Sequence, residues 1–289
     1  MKSIKKILAL TLALAMTASF AACGGAKTET SDSSSEPVAS EDASSEAASG
    51  AADADKTYII ATDTTFAPFE FEDESGNKVG IDMDLLAAIA EDQGFKYEVQ
   101  SLGFSAAVTA LEAKQCDAVM AVQSGQADGI IAGMSITDDR KEKFDFSDPY
   151  FDSGVVMGVA ENDDTTKSYE DLKGKNVAIK VGTEGAAFAE SIKEQYGFTT
   201  TTFDDSANMY EDVKAGNSVA CFEDYPVLGY GVAKGNGLKI VTEKENGSSY
   251  GLAVSKGESE DLLKMFNDGL KNLKDSGKYQ EILDTYIAK

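Results

Sequence analysis

The chain has 289 residues, enough for one large domain or for two lobes with cores of their own. It holds no histidine and no tryptophan, which excludes a serine–histidine–aspartate hydrolase and any His-ligated metal site. A formal charge of −24 argues against nucleic acid as a partner, because that binding draws on clustered Lys and Arg.

The N-terminus reads as an export signal. Lys2, Lys5 and Lys6 precede the apolar run ILALTLALAM, which is shorter than the roughly 20 residues of a membrane-spanning helix. Small residues lead into Cys23, and FAAC resembles the lipobox of bacterial lipoproteins. That resemblance implies removal of residues 1–22 and a diacylglyceryl thioether on Cys23, two acyl chains being enough for stable anchoring. The stretch that follows Cys23, up to residue 56, is mostly Ser, Ala, Glu and Asp, without one aromatic residue. It cannot bury enough apolar surface to offset chain entropy, so 23–56 is expected to be a lipidated, disordered tether. The folded part is then 57–289. Cys116 and Cys221 remain, and both are expected as buried free thiols rather than a disulfide.

From residue 57, short apolar strands alternate with amphipathic helices. TYIIAT is a strand, DMDLLAAIAEDQG a helix, KYEVQSL a strand, AAVTALEAK a helix and DGIIAG a strand. After residue 154 the pattern restarts with VVMGVA, SYEDLKG, NVAIKVG, TEGAAFAESIKEQYG, TTTTFDD, SANMYEDVKAG and SVACFED. The segment SSYGLAVSKG and two helices close the chain. Helix stops fall at Gly94, Gly197, Gly216 and Gly277. The alternation predicts an α/β fold with largely parallel sheets.

One stretch interrupts the pattern. ALEAKQCDAVM (110–120) is followed at once by AVQSGQADGII (121–131), and both read A-[LV]-x-x-x-Q-x-D-[AG]-[VI]-[MI]. Three extra helical turns would add about 16 Å, too much for a helix that must return to its sheet. The repeat is therefore expected to make an excursion at the end of the sheet, with the second copy forming the strand that leads into Gly133.

Several stretches, in order, resemble the type II periplasmic binding proteins: ATDTTFAPFEFED with VGIDMDLLAAIA, GMSITDDRKEKFDFSDPYFDSG, DLKGKNVAIKVGT and CFEDYPV. Within that family the pattern is similar to the glutamine-binding members of the amino-acid ABC importers, and the resemblance covers essentially all of 57–289. It implies two α/β lobes, each a mostly parallel sheet flanked by helices, joined by two hinge crossings. Lobe 1 would comprise 57–150 and 250–289, and lobe 2 would comprise 155–245.

The chain has a single arginine, Arg140, among 26 basic residues. A guanidinium presents a planar fork that fits a carboxylate with two parallel hydrogen bonds, which an ammonium cannot do. The resemblance puts the family's carboxylate-binding arginine there, helped by backbone N–H groups of Ser135 and of Thr183, where a helix opens. For the ligand ammonium it implies Asp224, the Gly133 carbonyl and the Ser135 hydroxyl. An N-cap role before Pro226 is the alternative for Asp224. Asp63 and Lys180 match the polar side-chain contacts, an acceptor and a donor that together suit a carboxamide. Lys180 also speaks against a cationic ligand unless Asp63 or Glu184 neutralises it, and Glu223 beside Asp224 is expected to make an acidic rim. Phe66 and Phe104 would wall the ligand's aliphatic stem, with core packing as the alternative.

The acids of DFSDPYFD (Asp145, Asp148, Asp152) and of DESGNKVGID miss the calcium-loop spacing, so turns are expected and no metal or cofactor. The reading is a monomeric, lipid-anchored extracytoplasmic protein that binds a polar amino acid, glutamine favoured, and serves an ABC permease. A dehydratase acting on cyclohexadienyl acids and a ligand sensor are the alternatives on the same fold.

Overall fold

The computed structural model describes residues 56–63, 65–113 and 127–287. The chain divides into two units, Met1–Ala48 and Ser49–Lys289, and every described residue belongs to the second. The export signal, Cys23, Cys116 and the tether up to residue 55 lie outside the described residues. No helix among the described residues is long and apolar enough to cross a membrane.

The first strand, β1 (Thr57–Thr62), is rich in β-branched and aromatic side chains and buries Tyr58, Ile60, Ala61 and Thr62. A small hairpin follows, β2 (Phe71–Glu72) and β3 (Lys78–Val79). Asp73 holds its turn by accepting from the N–H groups of Ser75 and Asn77 at 2.8 and 2.9 Å, so this acidic stretch is a turn. Next come α1 (Ile81–Gln93), β4 (Lys96–Ser101), α2 (Phe104–Ala113), β5 (Gly129–Ile130), α3 (Asp138–Lys141) and β6 (Phe144–Phe146). The long β7 (Phe151–Ala160) leads to a 3₁₀ turn at Tyr169–Leu172, then β8 (Asn176–Lys180), α4 (Glu184–Tyr196), β9 (Thr199–Phe203) and α5 (Ser206–Lys214). The chain continues through β10 (Ala220–Asp224), α6 (Tyr225–Ala233), β11 (Leu238–Ile240) and β12 (Glu245–Tyr250). It ends with β13 (Ala253–Ser255), α7 (Glu260–Ser276) and α8 (Lys278–Tyr286). Gly94, Gly197 and Gly277 cap their helices in the left-handed conformation that only glycine adopts freely.

Two mixed sheets result. The first has the order β4-β1-β5-β13-β6, and the second β11-β7-β10-β8-β9, with β12 added to β7. Parallel pairs form the part expected from the strand–helix alternation, β1 with β4 and β5, and β8 with β9 and β10. Antiparallel pairs complete each sheet where the chain crosses between lobes, β13 in the first and β7 in the second. The two crossing strands pair with each other, Ser248 opposite Ser153 and Tyr250 opposite Phe151. Each sheet is covered by its own core: Leu85, Leu86 and Ile89 of α1 meet Phe266 and Leu270 of α7, while Val155, Met157, Val177 and Phe222 anchor the second. Cys221 is a buried free thiol in that second lobe.

The strand entering Gly133 comes from the second copy of the repeat, since β5 pairs with β1 through Ile60–Gly129 and Ala61–Ile130. Residues 114–126, the rest of the excursion, lie outside the described residues.

Candidate functional site

The lobes meet at the carboxyl ends of the strands, where open α/β sheets present loops that can converge on a ligand. Phe66, Phe104, Ala132, Gly133, Ser135 and Arg140 line a cavity there from the first lobe, and Lys180, Thr183, Glu184 and Asp224 from the second. Eight of the nine ligand residues named from sequence are in that lining. The ninth, Asp63, pairs with Lys180 directly beneath it. The cavity is about 10 Å³, close to the least space that holds one water, so the lobes are closed and must part to admit a solute.

Arg140 sits in the short helix α3, whose N-cap Thr137 accepts from the Arg140 N–H at 3.3 Å. Its Nη1 donates to the Ser135 carbonyl at 2.8 Å and its Nη2 to the Gly182 carbonyl of the other lobe at 3.0 Å. Glu184 Oε1 lies 4.0 Å from Nη2, and the guanidinium stands 5.6 Å from the centre of the Phe104 ring. Burial pushes its pKa down from the ordinary value, against the opposing pull of Glu184 and Asp224. The fork therefore reaches both lobes. The bridge between Ser135 and Tyr250 is flanked by Ile136 N→Ser249 O and Gly251 N→Met134 O bonds, which leave the Ser135 N–H outside the ladder. Thr183 caps α4 with its hydroxyl, and its own N–H makes a long 3.4 Å bond to the Lys180 carbonyl.

Lys180 ends β8 and Asp63 follows β1, and the two form an ion pair across the lobes with both side chains 1% exposed. Burial disfavours the ammonium, but Asp63, Glu223 and Glu70 outweigh it and raise the Lys180 pKa. The Lys180 ammonium also lies 4.7 Å from the Phe66 ring centre and 5.9 Å from that of Phe104. Its charge is thus matched by Asp63, the condition under which Lys180 no longer speaks against a cationic ligand. Phe66 and Phe104 are both cavity walls and core residues, 4% and 5% exposed.

Asp224 is the N-cap residue of α6, yet its side chain makes no cap hydrogen bond. It turns into the cleft instead and accepts from the Tyr250 hydroxyl at 2.6 Å, which in turn receives a bond from Ser153 Oγ at 3.1 Å. Burial, reinforced by the neighbouring Glu223, pushes its carboxyl up to about 7. Glu223 itself corrects the sequence reading: it is no rim residue. It is buried on the opposite face, accepting from Ser206 Oγ at 2.7 Å and Tyr210 Oη at 3.1 Å. Consecutive residues of a strand point to opposite faces, so one of the pair had to leave the cleft. Asp145 and Asp152 are likewise engaged, with Lys256 and with Ser249.

Sequence reasoning missed Tyr250 and Ala132. Tyr250 lies at a hinge crossing in a sequence, NGSSY, with no motif of its own.

Over residues 58–122 and 119–289 the chain matches the bacterial extracellular solute-binding proteins, family 3. The chain belongs to that family. The two matched stretches of this family 3 solute-binding protein overlap at 119–122, inside the 11-residue repeat. Among relatives, a "probable histidine-binding protein" of Neisseria gonorrhoeae is 32% identical over 84% of this chain and 88% of its own length. The open-conformation structure of substrate-binding domain 2 of GlnP from Lactococcus lactis is 39% identical, covering 81% of this chain and 96% of the domain, with a TM-score of 0.55. An ancestral arginine-binding protein bound to glutamine is 36% identical, covering 81% and 98%, with a TM-score of 0.71. The higher score against the ligand-bound structure, at lower identity, accords with a closed cleft.

Proposed function

We propose that this solute-binding protein captures a polar L-amino acid, glutamine for preference, in the cleft between its lobes and delivers it to an ABC permease. The observation that carries the reading is the convergence of a half-buried guanidinium, a buried carboxylate and two phenyl walls on one interlobe cavity. An amino acid needs all of these at once: Arg140 for its carboxylate, Asp224 for its ammonium, Phe66 and Phe104 for its stem. The Gly133 carbonyl and the hydroxyl and N–H of Ser135 complete the α-group contacts. Charge-assisted hydrogen bonds at about 1.5–3 kcal/mol each bring micromolar affinity, about −8 kcal/mol, within reach. Asp63 and Lys180, an acceptor beside a donor, are matched to a carboxamide.

No group in the cleft is left over for turnover in this reading, which disfavours the dehydratase alternative. We take lobe 1 as 57–150 with 250–289 and lobe 2 as 155–245. The monomer would be held at the outer face of the membrane by lipid on Cys23, after loss of the 1–22 signal, through the tether. A second reading, an arginine- or lysine-type ligand, is favoured by one observation: the Lys180 charge is already matched by Asp63. A thermal-shift panel of the twenty amino acids, followed by titration calorimetry, tests both. A shift led by glutamine supports the first reading, one confined to cationic amino acids replaces it with the second, and none at all overturns both.

A further inference from the structure

Behind the cleft, inside the first lobe, lies a second group of carboxylates that the binding scheme leaves unused. Asp82 stands in the first turn of α1, fully buried. Its Oδ2 accepts from the Gly133 N–H at 2.8 Å and from the Tyr150 hydroxyl at 2.9 Å. Its Oδ1 and both oxygens of buried Glu70 accept no hydrogen bond from any described group. Three orphaned carboxylate oxygens in one dry spot are untenable if both acids are ionised, because an uncompensated buried charge is among the costliest features a fold can carry.

One proton resolves the difficulty. A neutral Glu70 can donate to Asp82, whose backbone N–H bonds the carbonyl of the residue before Glu70, Phe69, at 3.0 Å, and the pair then carries one negative charge between them. The surroundings agree. Burial pushes Glu70 well above the usual carboxylate range, aided by Asp82 and Asp63, and the opposing Lys180 is already paired with Asp63. Tyr150, the remaining titratable group against Asp82, is pushed up by burial and by both acids, so it stays a donor.

We propose that Glu70 and Asp82 share one buried proton as a carboxyl–carboxylate pair and so position Gly133 at the wall of the ligand cleft. Gly133 has φ +52, a backbone that only glycine holds freely, and a Cβ there would strike the Phe66 ring. The Asp82 bond pins the N–H of the peptide joining Ala132 to Gly133. In a trans peptide the carbonyl points the other way, so the same bond turns the Ala132 carbonyl away from Asp82, and both residues line the cavity. Glu70 and Asp82 touch no ligand; they act through Gly133. The functional half of this proposal rests on the cleft being the amino-acid site.

Two measurements on the full chain test it. Carbon-13 NMR of the Glu-labelled, ligand-free protein reads the proton directly, with Glu70 assigned by its loss in Glu70→Gln. A Glu70 carboxyl carbon at the protonated shift at pH 7 is expected, and one at the ionised shift overturns the proposal. Calorimetry with glutamine and with arginine then compares Glu70→Gln, whose amide N–H can replace the shared proton, with Glu70→Leu, which cannot donate. Glu70→Gln is expected within about twofold of wild type and Glu70→Leu at least tenfold weaker. Equal affinities for Glu70→Leu and wild type overturn the positioning role, as does equal weakening in both variants. If Glu70→Leu does not fold, the carbon shift and Glu70→Gln decide. If the wild-type chain binds no amino acid, the proposed function fails while the carbon shift still reads the pair.

Discussion

Replacing Lys180 by methionine keeps most of the side chain's bulk and removes the charge that matches Asp63, in a site where both are 1% exposed. Breaking a buried ion pair by deleting one partner costs about 3–5 kcal/mol. Here the cost falls on the closed state, because parting the lobes returns Asp63 to water. At about 1.4 kcal/mol per factor of ten, the closed population should drop relative to the open one by on the order of 10²–10³-fold. Small-angle scattering of the ligand-free variant should therefore give a larger radius of gyration than wild type. The ligand preference should move too, since a buried carboxylate stripped of its ammonium asks for another cation. Calorimetry is expected to show glutamine weakened at least tenfold while arginine or lysine gains relative to it. Unchanged scattering together with unchanged glutamine affinity would mean that the pair neither holds the lobes nor meets the ligand, and the reasoning would fail.

Other perturbations probe other groups. Arg140→Lys keeps the charge but loses the fork, so one charge-assisted bond of about 1.5–3 kcal/mol disappears and affinity should fall roughly 10- to 100-fold; an unchanged dissociation constant by calorimetry would place Arg140 outside the contact. Asp224 must be ionised to meet an ammonium, and its folded pKa is raised to about 7, so affinity should be full above about pH 8 and lost as pH falls through 7. The loss should approach about tenfold per pH unit below that point and vanish in Asp224→Asn, and a flat profile from about pH 8 to 5.5 in the wild type contradicts it. Gly133→Ala should lower the melting temperature by about 2–10 °C, from backbone strain of about 1–3 kcal/mol, and weaken the ligand by displacing Phe66. A variant with wild-type melting and affinity would show that the turn is not constrained as described.

Much of this architecture is written locally. The strand TYIIAT, the helices ending at Gly94, Gly197 and Gly277, and the strand entering Gly133 need only short-range pattern, and all form where the pattern puts them. The lone guanidinium drew attention for a different reason, its scarcity, and it does line the cavity between the lobes. What stayed hidden depends on contacts between distant residues. Lys180 and Asp63 are 117 positions apart, and Tyr250 reaches Asp224 only because β7 and β12 pair at the crossing. Glu70 reads as an ordinary acid in PFEF, and nothing local says that β1, α1 and the Phe66–Glu70 bridge will enclose it. Glu223 is the instructive case. Strand alternation alone forbids Glu223 and Asp224 from sharing a face, and that rule applied to SVACFED is enough to send the two carboxylates to opposite sides of the sheet.

The closed cleft has few unmatched charges, and that shapes how a ligand can bind. Arg140 is held by two carbonyls with Glu184 close by, Lys180 by Asp63, and Asp224 by Tyr250. In the proposed binding mode, an arriving carboxylate would have to take Arg140 from its carbonyl partners and hold off Glu184, and an arriving ammonium would have to compete with the Tyr250 hydroxyl. Binding is therefore an exchange of hydrogen bonds, and only the difference between old and new partners appears as affinity. On that proposal the exchange would be most favourable at an ionised Asp224, where a neutral hydroxyl would give way to a full charge, and least favourable at Lys180, where a full charge already sits. Selectivity among amino acids should then be set at the Asp63–Lys180 end, while the α-carboxylate and ammonium contribute a similar increment for every ligand.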